Sequence, residues 1–229
     1  MDARRQRRSP SCSCSWAAAA PLLLLLAVSL GGGHHAAAAS DGAVVGGAPA
    51  PGAAGMTELQ KHVAFFDRDH DGIVTFDETY QGLVDVGVGE VTAKASAALI
   101  NGALGAKTRP DNANTSRMDI YIENIQKGKH GSDTGAYDAQ GRFVPAKFDE
   151  IFTKHAKTVP NSLSKDELDE MLKDNQEKND FAGWLAAKSE WEMLYKVANK
   201  DGRLPKDTVR AVYDGTLFYQ LAAHQEKKA

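Results

Sequence analysis

The sequence is poor in cysteine. Its 229 residues include only Cys12 and Cys14, both close to the start. No disulfide framework can hold the rest of the chain together, and no thiolate metal site can form there. An excess of positive charge is missing as well. The formal net charge is −3, and setting aside residues 1–39, with four arginines and one aspartate, leaves 23 basic against 29 acidic side chains, 23 − 29 = −6. Nucleic acid is therefore not an expected partner. Long apolar runs are absent too: Trp16–Leu30 has 15 residues, short of the ~20 that span a bilayer.

That short run sits in a recognisable order. Arg4, Arg5, Arg7 and Arg8 precede it, and small residues through Ala36–Ala39 follow before Ser40. Residues 1–39 thus read as a secretory signal peptide or a retained signal anchor, a leader without fixed structure. The arginines would stay cytosolic and the remainder would enter the endoplasmic reticulum and secretory pathway. Residues 40–55 are Gly, Ala and Pro with almost no charge, the composition of a flexible linker. A single domain over 56–229 is expected, mainly α.

Its centre is Asp67–Glu78, DRDHDGIVTFDE, which fills every position of a calcium-binding EF-hand loop. Asp67, Asp69 and Asp71 supply carboxylates at positions one, three and five, and Gly72 allows the sharp turn at six. The Ile73 carbonyl serves at seven, Thr75 at nine and Glu78 with two oxygens at twelve, together an oxygen shell suited to a hard cation. An acidic surface turn is the plainer reading. The spacing of Leu59, Val63 and Phe66 predicts a helix from a Thr57 cap to Phe66, and Phe76 to about Val88 should leave the loop as the second helix of a hand spanning 57–88.

The central segment 91–117 opens with Val91–Ala106, apolar but interrupted. Lys94, Asn101 and Thr108 recur every seventh residue, which suits an interfacial or half-buried helix, with a plain core helix as the other reading. A polar loop, Lys107–Arg117, follows, and Asp119–Ile125 alternates enough for a short strand. The remaining region, 118–223, continues with 127–146, glycine-rich and expected to be an ordered loop near a ligand. Helices are then expected over Lys147–Lys157, from a Ser164/Glu167 capping box to about Lys178, over Phe181–Ala198 and over Lys206–Ala223, with HQEKKA as a frayed tail.

EF-hands associate in pairs through their eighth positions, and Val197–Thr208 offers a degenerate partner. Aligned on Gly202, it keeps Asn199, Asp201 and Leu204 but has Val197 at one and Thr208 at twelve. It would pair with Val74 without binding calcium strongly; the other reading is a turn before a helix starting at Pro205.

From about Leu59 onward the stretches LQKHVAFFDRDHDGIV, YIENIQKGKHGSDTGAYDAQGRFVP, FAGWLAAKSEW and YDGTLF follow one another. In these stretches and their order the sequence resembles the caleosins, plant and fungal calcium-binding, lipid-associated haem peroxygenases. The resemblance implies calcium, haem b and two haem-binding, catalytic histidines, His62 and His130, without saying which holds iron. A neutral imidazole suits haem iron, although alone His62 reads as a packing or solvent-facing helix residue and His130 as a loop histidine. His70, His155 and His224 have no motif behind them, and Trp184 and Trp191 read as core. The implied activity passes oxygen from fatty-acid hydroperoxides to unsaturated lipids, giving epoxides or alcohols.

Two departures stand out. The family's central apolar segment and proline-rich turn here contain Lys94, Lys107, only Pro110 and a polar DNANTS stretch, so attachment to a membrane or lipid-droplet surface should be weakened. The leader would face the calcium loop to a lumen rather than the cytosol, where a sensor-grade site would stay saturated. A non-enzymatic EF-hand protein of the endomembrane system or lipid-droplet surface is the competing expectation.

Overall fold

The computed structural model describes residues 55–114 and 116–227; the leader and residues 40–54 of the linker lie outside them. The described chain is mainly helical, as expected. Its elements are α1 (Glu58–Ala64), β1 (Ile73–Val74), α2 (Phe76–Asp85), α3 (Glu90–Thr108), β2 (Ile120–Tyr121), a 3₁₀ segment (Ile122–Gly128), α4 (Pro145–His155), β3 (Ser162–Ser164), α5 (Lys165–Asp174), α6 (Phe181–Ala198), β4 (Arg203–Pro205), α7 (Lys206–Tyr213) and α8 (Thr216–Glu226).

The first hand forms for local reasons. Thr57 caps α1 and exchanges hydrogen bonds with Gln60, and Thr75 caps α2 and exchanges them with Glu78. Gly72 turns the loop at φ +85°, a region that costs an L-residue its Cβ clearance. Leu59, Val63 and Phe66 are buried together with Val74 and Leu83.

The expected partner of Val74 is corrected. β1 pairs with β2, Val74 opposite Ile120, whereas Leu204 pairs with Leu163. The degenerate loop Val197–Thr208 does exist, with Gly202 at φ +72°, but its mate is a second degenerate loop at 156–167. There Asn161 takes φ +58° at position six, Leu163 stands at eight, and Ser164 caps α5 with Glu167 at twelve. The helix–loop–helix units thus join in two pairs through short ladders, α1/α2 with α3 and the 3₁₀ segment, and α4/α5 with α6/α7.

The second pair has a cation of its own making. Arg203, at position seven of its loop, points Nη2 at Thr158 Oγ1 (2.5 Å), Ser162 O (3.4 Å) and Glu167 Oε2 (3.3 Å). These oxygens belong to positions three, seven and twelve of the neighbouring loop. Burial pushes the Glu167 carboxyl up, but hydrogen bonds from Ser164 and Thr158 outweigh it and hold its pKa at about 2.

Three further expectations need correction. The strand over Asp119–Ile125 shrinks to Ile120–Tyr121, because the chain tightens at once into the 3₁₀ segment. In α3 the polar stripe splits: Lys94 is exposed, but Asn101 and Thr108 turn inward. Asn101 Nδ2 donates to Val74 O and Met118 O, and Thr108 Oγ1 accepts from Tyr121 N, so these side chains fasten the helix to the β1–β2 ladder. Finally, the helix expected over Lys206–Ala223 breaks at Gly215, φ +79°, into α7 and α8, and α8 runs on through His224 to Glu226.

Two cores result. One gathers α1, α2, α3 and the 3₁₀ segment around Phe66, Leu83 and Leu104; the other gathers α4 to α7 around Phe152, Leu168 and Trp191. Phe218 of α8 packs in the first core and Tyr213 of α7 in the second, so the α7–α8 turn ties them together. Among the described residues no helix is long and apolar enough to cross a membrane.

Candidate functional site

Among the described residues, two places have chemistry. In the first loop, Asp67, Asp69 and Asp71 bring carboxylate oxygens within 4.8 Å of one another. Asp67 is buried and accepts from Gly72 N and Asp71 N, and burial raises its pKa against those bonds. Glu78 closes the loop through bonds to Arg68 N, Thr75 N and Thr75 Oγ1, while Ile73 begins β1. The six predicted calcium-loop residues are therefore together, and three of them already crowd negative charge that a divalent cation would relieve.

The second place is a cleft between the two cores, with ≈ 1060 Å³ of empty space counted out to its open mouth. Its wall is apolar, built from residues including Val86, Val88, Trp191, Leu194, Phe218 and Leu221. His62 and His130 both line it. Sequence reasoning named both histidines but could not tell that one cavity holds them.

His62 is fixed from behind. It lies on α1, packs edge-on against the Phe218 ring at 4.8 Å, and donates from Nδ1 to Val212 O at 2.7 Å. That bond selects the tautomer with a bare Nε2. Burial lowers its pKa to about 4, against the opposing pull of the Val212 carbonyl and the Asp214 charge. The motif YDGTLF explains itself here: Tyr213 walls the cleft, Asp214 faces His62 electrostatically, Gly215 lies against the α1 backbone, and Leu217 and Phe218 complete the wall.

The low pKa of His62 has a stability consequence. The unfolded imidazole gains its proton as pH drops below 6.5, while the folded one stays neutral until about 4. Stability present above pH 6.5 is thus lost as pH falls through that window, by up to ~3 kcal/mol at its acid end. Urea unfolding at pH 7 and pH 4.5 measures it, and His62→Gln should show a smaller loss than the parent; an equal loss in both would contradict the assignment.

His130 comes from the glycine-rich loop. It is buried, and burial lowers its pKa while Asp133 and Asp180 pull the other way. Thr134 Oγ1 and Tyr213 OH meet at 2.7 Å in the same wall, and Tyr137 OH donates to Tyr213 O at 2.6 Å. Burial raises the pKa of both phenols, so they stay protonated. The sequence reading missed these hydroxyls and the two acidic groups of the wall, Asp133 and Glu190. It also treated Trp191 as core only. Trp191 packs in the second core and faces the cleft, whereas Trp184 donates its indole N–H to Leu172 O. His70 is exposed in the acidic loop, and His155 is buried beside a separate small polar cavity.

An acidic helix-flanked loop beside a largely apolar cleft with two histidines in its lining narrows the family, and the sequence profile described as "Caleosin related protein" matches residues 54–222. The chain belongs to the caleosin family. It is 49% identical over 171 residues to "Probable peroxygenase 4" of Arabidopsis thaliana, covering 74% of this chain and 88% of that protein. It is 46% identical over 167 residues to "Peroxygenase" of Lilium longiflorum, covering 72% and 70%. A third relative, "Probable inactive peroxygenase-like protein" of Arabidopsis thaliana, is 39% identical over 141 residues, 62% of this chain and 68% of its own length. No solved structure gives a significant match. Since this caleosin resembles proteins named as active and one named as inactive, its own side chains must carry the functional argument.

Proposed function

We propose that this caleosin is a calcium-binding haem peroxygenase, which takes oxygen from a fatty-acid hydroperoxide and gives it to an unsaturated lipid. The hydroperoxide leaves as the alcohol and the acceptor as an epoxide or hydroxylated product. The observation that supports this best is that His62 and His130, far apart in sequence, line one apolar cleft.

The residues suit haem b. Much of the wall is apolar, as a porphyrin face needs, and His62 is a neutral imidazole with its Nδ1–H engaged and Nε2 bare. A metal-binding histidine commonly has its second nitrogen held in this way. When bound, haem would supply the cleavage of the hydroperoxide O–O bond. The chain's own work is then to hold iron through His62, keep water from the acyl chain with Val86, Val88, Leu194 and Leu221, and carry a proton at His130.

Titration of the full chain with haemin tests the reading. A Soret band saturating near one haem per chain, with hydroperoxide-dependent epoxidation, is expected. A spectrum no different from free haemin would leave a non-enzymatic calcium-binding protein instead.

Calcium is proposed to bind Asp67, Asp69, Asp71, Ile73, Thr75 and Glu78. Because α1 ends beside this loop and carries His62, calcium should steady one side of the cleft. Glu78→Gln removes the position-twelve carboxylate and is expected to weaken calcium binding by 10-fold or more, about 1.4 kcal/mol, with a weaker haem complex as the second effect. Calorimetry gives the first and the Soret titration the second; unchanged haem affinity in a calcium-free variant would break the proposed link.

For location, the leader supports the secretory pathway, with the endoplasmic reticulum membrane or a lipid droplet as the surface met. Val91, Leu99 and Met118 are exposed large apolar residues on and beside α3, and they would rest against lipid without crossing it.

A further inference from the structure

His130 has a partner that the calcium loop and the histidine pair leave unexplained. Asp180 caps α6, with Oδ1 accepting from Gly183 N at 3.0 Å. Its Oδ2 accepts from Ser132 N at 2.9 Å, and its carbonyl oxygen accepts from Ser132 Oγ at 3.2 Å. Ser132 Oγ in turn accepts from Glu177 N. The segment GKHGSD is thereby pinned to the start of FAGW. The same Asp180 Oδ2 stands 3.4 Å from His130 Nδ1, a buried nitrogen with no hydrogen-bond partner. A buried ring N–H left without an acceptor is costly, and a carboxylate fixed by two backbone amides is already at hand.

We propose that Asp180 is the positioning residue of His130: it receives the Nδ1–H and leaves Nε2 bare toward the cleft. The catalytic meaning rests on the peroxygenase reading. The two histidines then differ in kind. His62 is backed by a neutral carbonyl and His130 by an anion, which makes His130 the better base. It takes the hydroperoxide proton and returns it to the departing alcohol oxygen as the O–O bond breaks. Oxygen passes to the acceptor lipid, the hydroperoxide is reduced to the alcohol, and His130 ends unchanged.

Nitrogen-15 NMR of the full chain without haem reads the tautomer directly, with the His130 signals identified by their loss in His130→Gln. The expected result is a proton on Nδ1 in the parent, moving toward Nε2 in Asp180→Ala and staying in Ser132→Ala, which loosens the same loop but keeps the carboxylate. Turnover of the haem-loaded enzyme should fall about 10–100-fold in Asp180→Ala, mainly in kcat. A parent chain with its proton on Nε2 overturns the proposal, as does an Asp180→Ala tautomer identical to the parent's. The parent measurement needs no variant to fold. Failure to bind haem would remove the peroxygenase reading and leave the tautomer result standing.

A second, independent observation concerns calcium. The loop at 156–167 has Ala156 and Pro160 at positions one and five, yet its remaining oxygens at three, seven and twelve converge on Arg203 Nη2. We infer that the Arg203 guanidinium is the built-in cation of the second pair, so that calcium acts on the first pair alone. Equilibrium dialysis of the full chain should count one calcium, lost in Asp67→Asn. Arg203→Met and Glu167→Gln should each lower the melting temperature, with the double variant falling less than the two shifts added. A second calcium removed by Glu167→Gln, or fully additive shifts, would overturn it.

Discussion

His62→Ala is expected to abolish the Soret band of the haemin complex and, with it, epoxidation. The loss should exceed the roughly 100-fold that removing an outer partner of a metal ligand costs, since the proposed ligand itself is gone. His62 also packs against Phe218 and bonds Val212 O, so loss through misfolding has to be separated from loss of a ligand. Imidazole added to the solution makes the separation. In a folded chain with an empty ligand position, free imidazole should restore part of the band, because the hole left by the side chain has its shape. His130→Ala should behave differently, keeping a shifted Soret band and losing turnover. A His62→Ala chain that binds haemin as tightly as the parent would sink the assignment of His62 to iron.

Gly215→Ala should destabilise the fold strongly for a single added methyl. A Cβ at Gly215 would sit 2.8 Å from Lys61 O and 3.0 Å from His62 Cα, and both are backbone atoms that cannot swing aside. The residue is also at φ +79°, where an L-side chain costs ~1–2 kcal/mol. Forcing α1 away adds ~1–3 kcal/mol, so about 2–5 kcal/mol of a total that is ~5–15 for a typical domain. Gly215→Asn separates the two causes, since asparagine tolerates the left-handed region but still brings a Cβ. It should lose the contact and keep the turn. An Ala variant within ~0.5 kcal/mol of the parent, the range of an inert surface change, would show that the turn does not bear on α1.

The legible parts of the sequence were those written locally. The loop Asp67–Glu78 and the capping pairs Thr75/Glu78 and Ser164/Glu167 need only residues three to eleven apart, and α6 was bounded correctly at Phe181–Ala198. The pairing of loops was not legible. Ladders of two or three residues have no alternation to read, so nothing local prefers Leu163 over Val74 as the mate of Leu204. One signal was available: VTFDE and LSKDE place an apolar residue, a capping hydroxyl and a glutamate at the same spacing, which marks 156–167 as a loop of the same kind. Asn101 misled because a polar residue on an apolar helix reads as facing water, while here it serves two backbone carbonyls of the ladder region. The cleft wall was beyond sequence reasoning altogether. Its residues run from His62 to Leu221, and only the fold puts them side by side.

The bond from His62 to the Val212 carbonyl joins positions 150 residues apart. During synthesis at ~5–20 residues per second, His62 would wait roughly 8–30 s for that acceptor. The first hand can fold in the meantime, since its ladder and caps lie within residues 57–125. The cleft cannot, because α7 and α8 are among the last helices made. On the proposed reading, a nascent chain would offer haem an unsupported histidine on a finished hand, and the cofactor's stable seat would appear only after the C-terminal turn has docked.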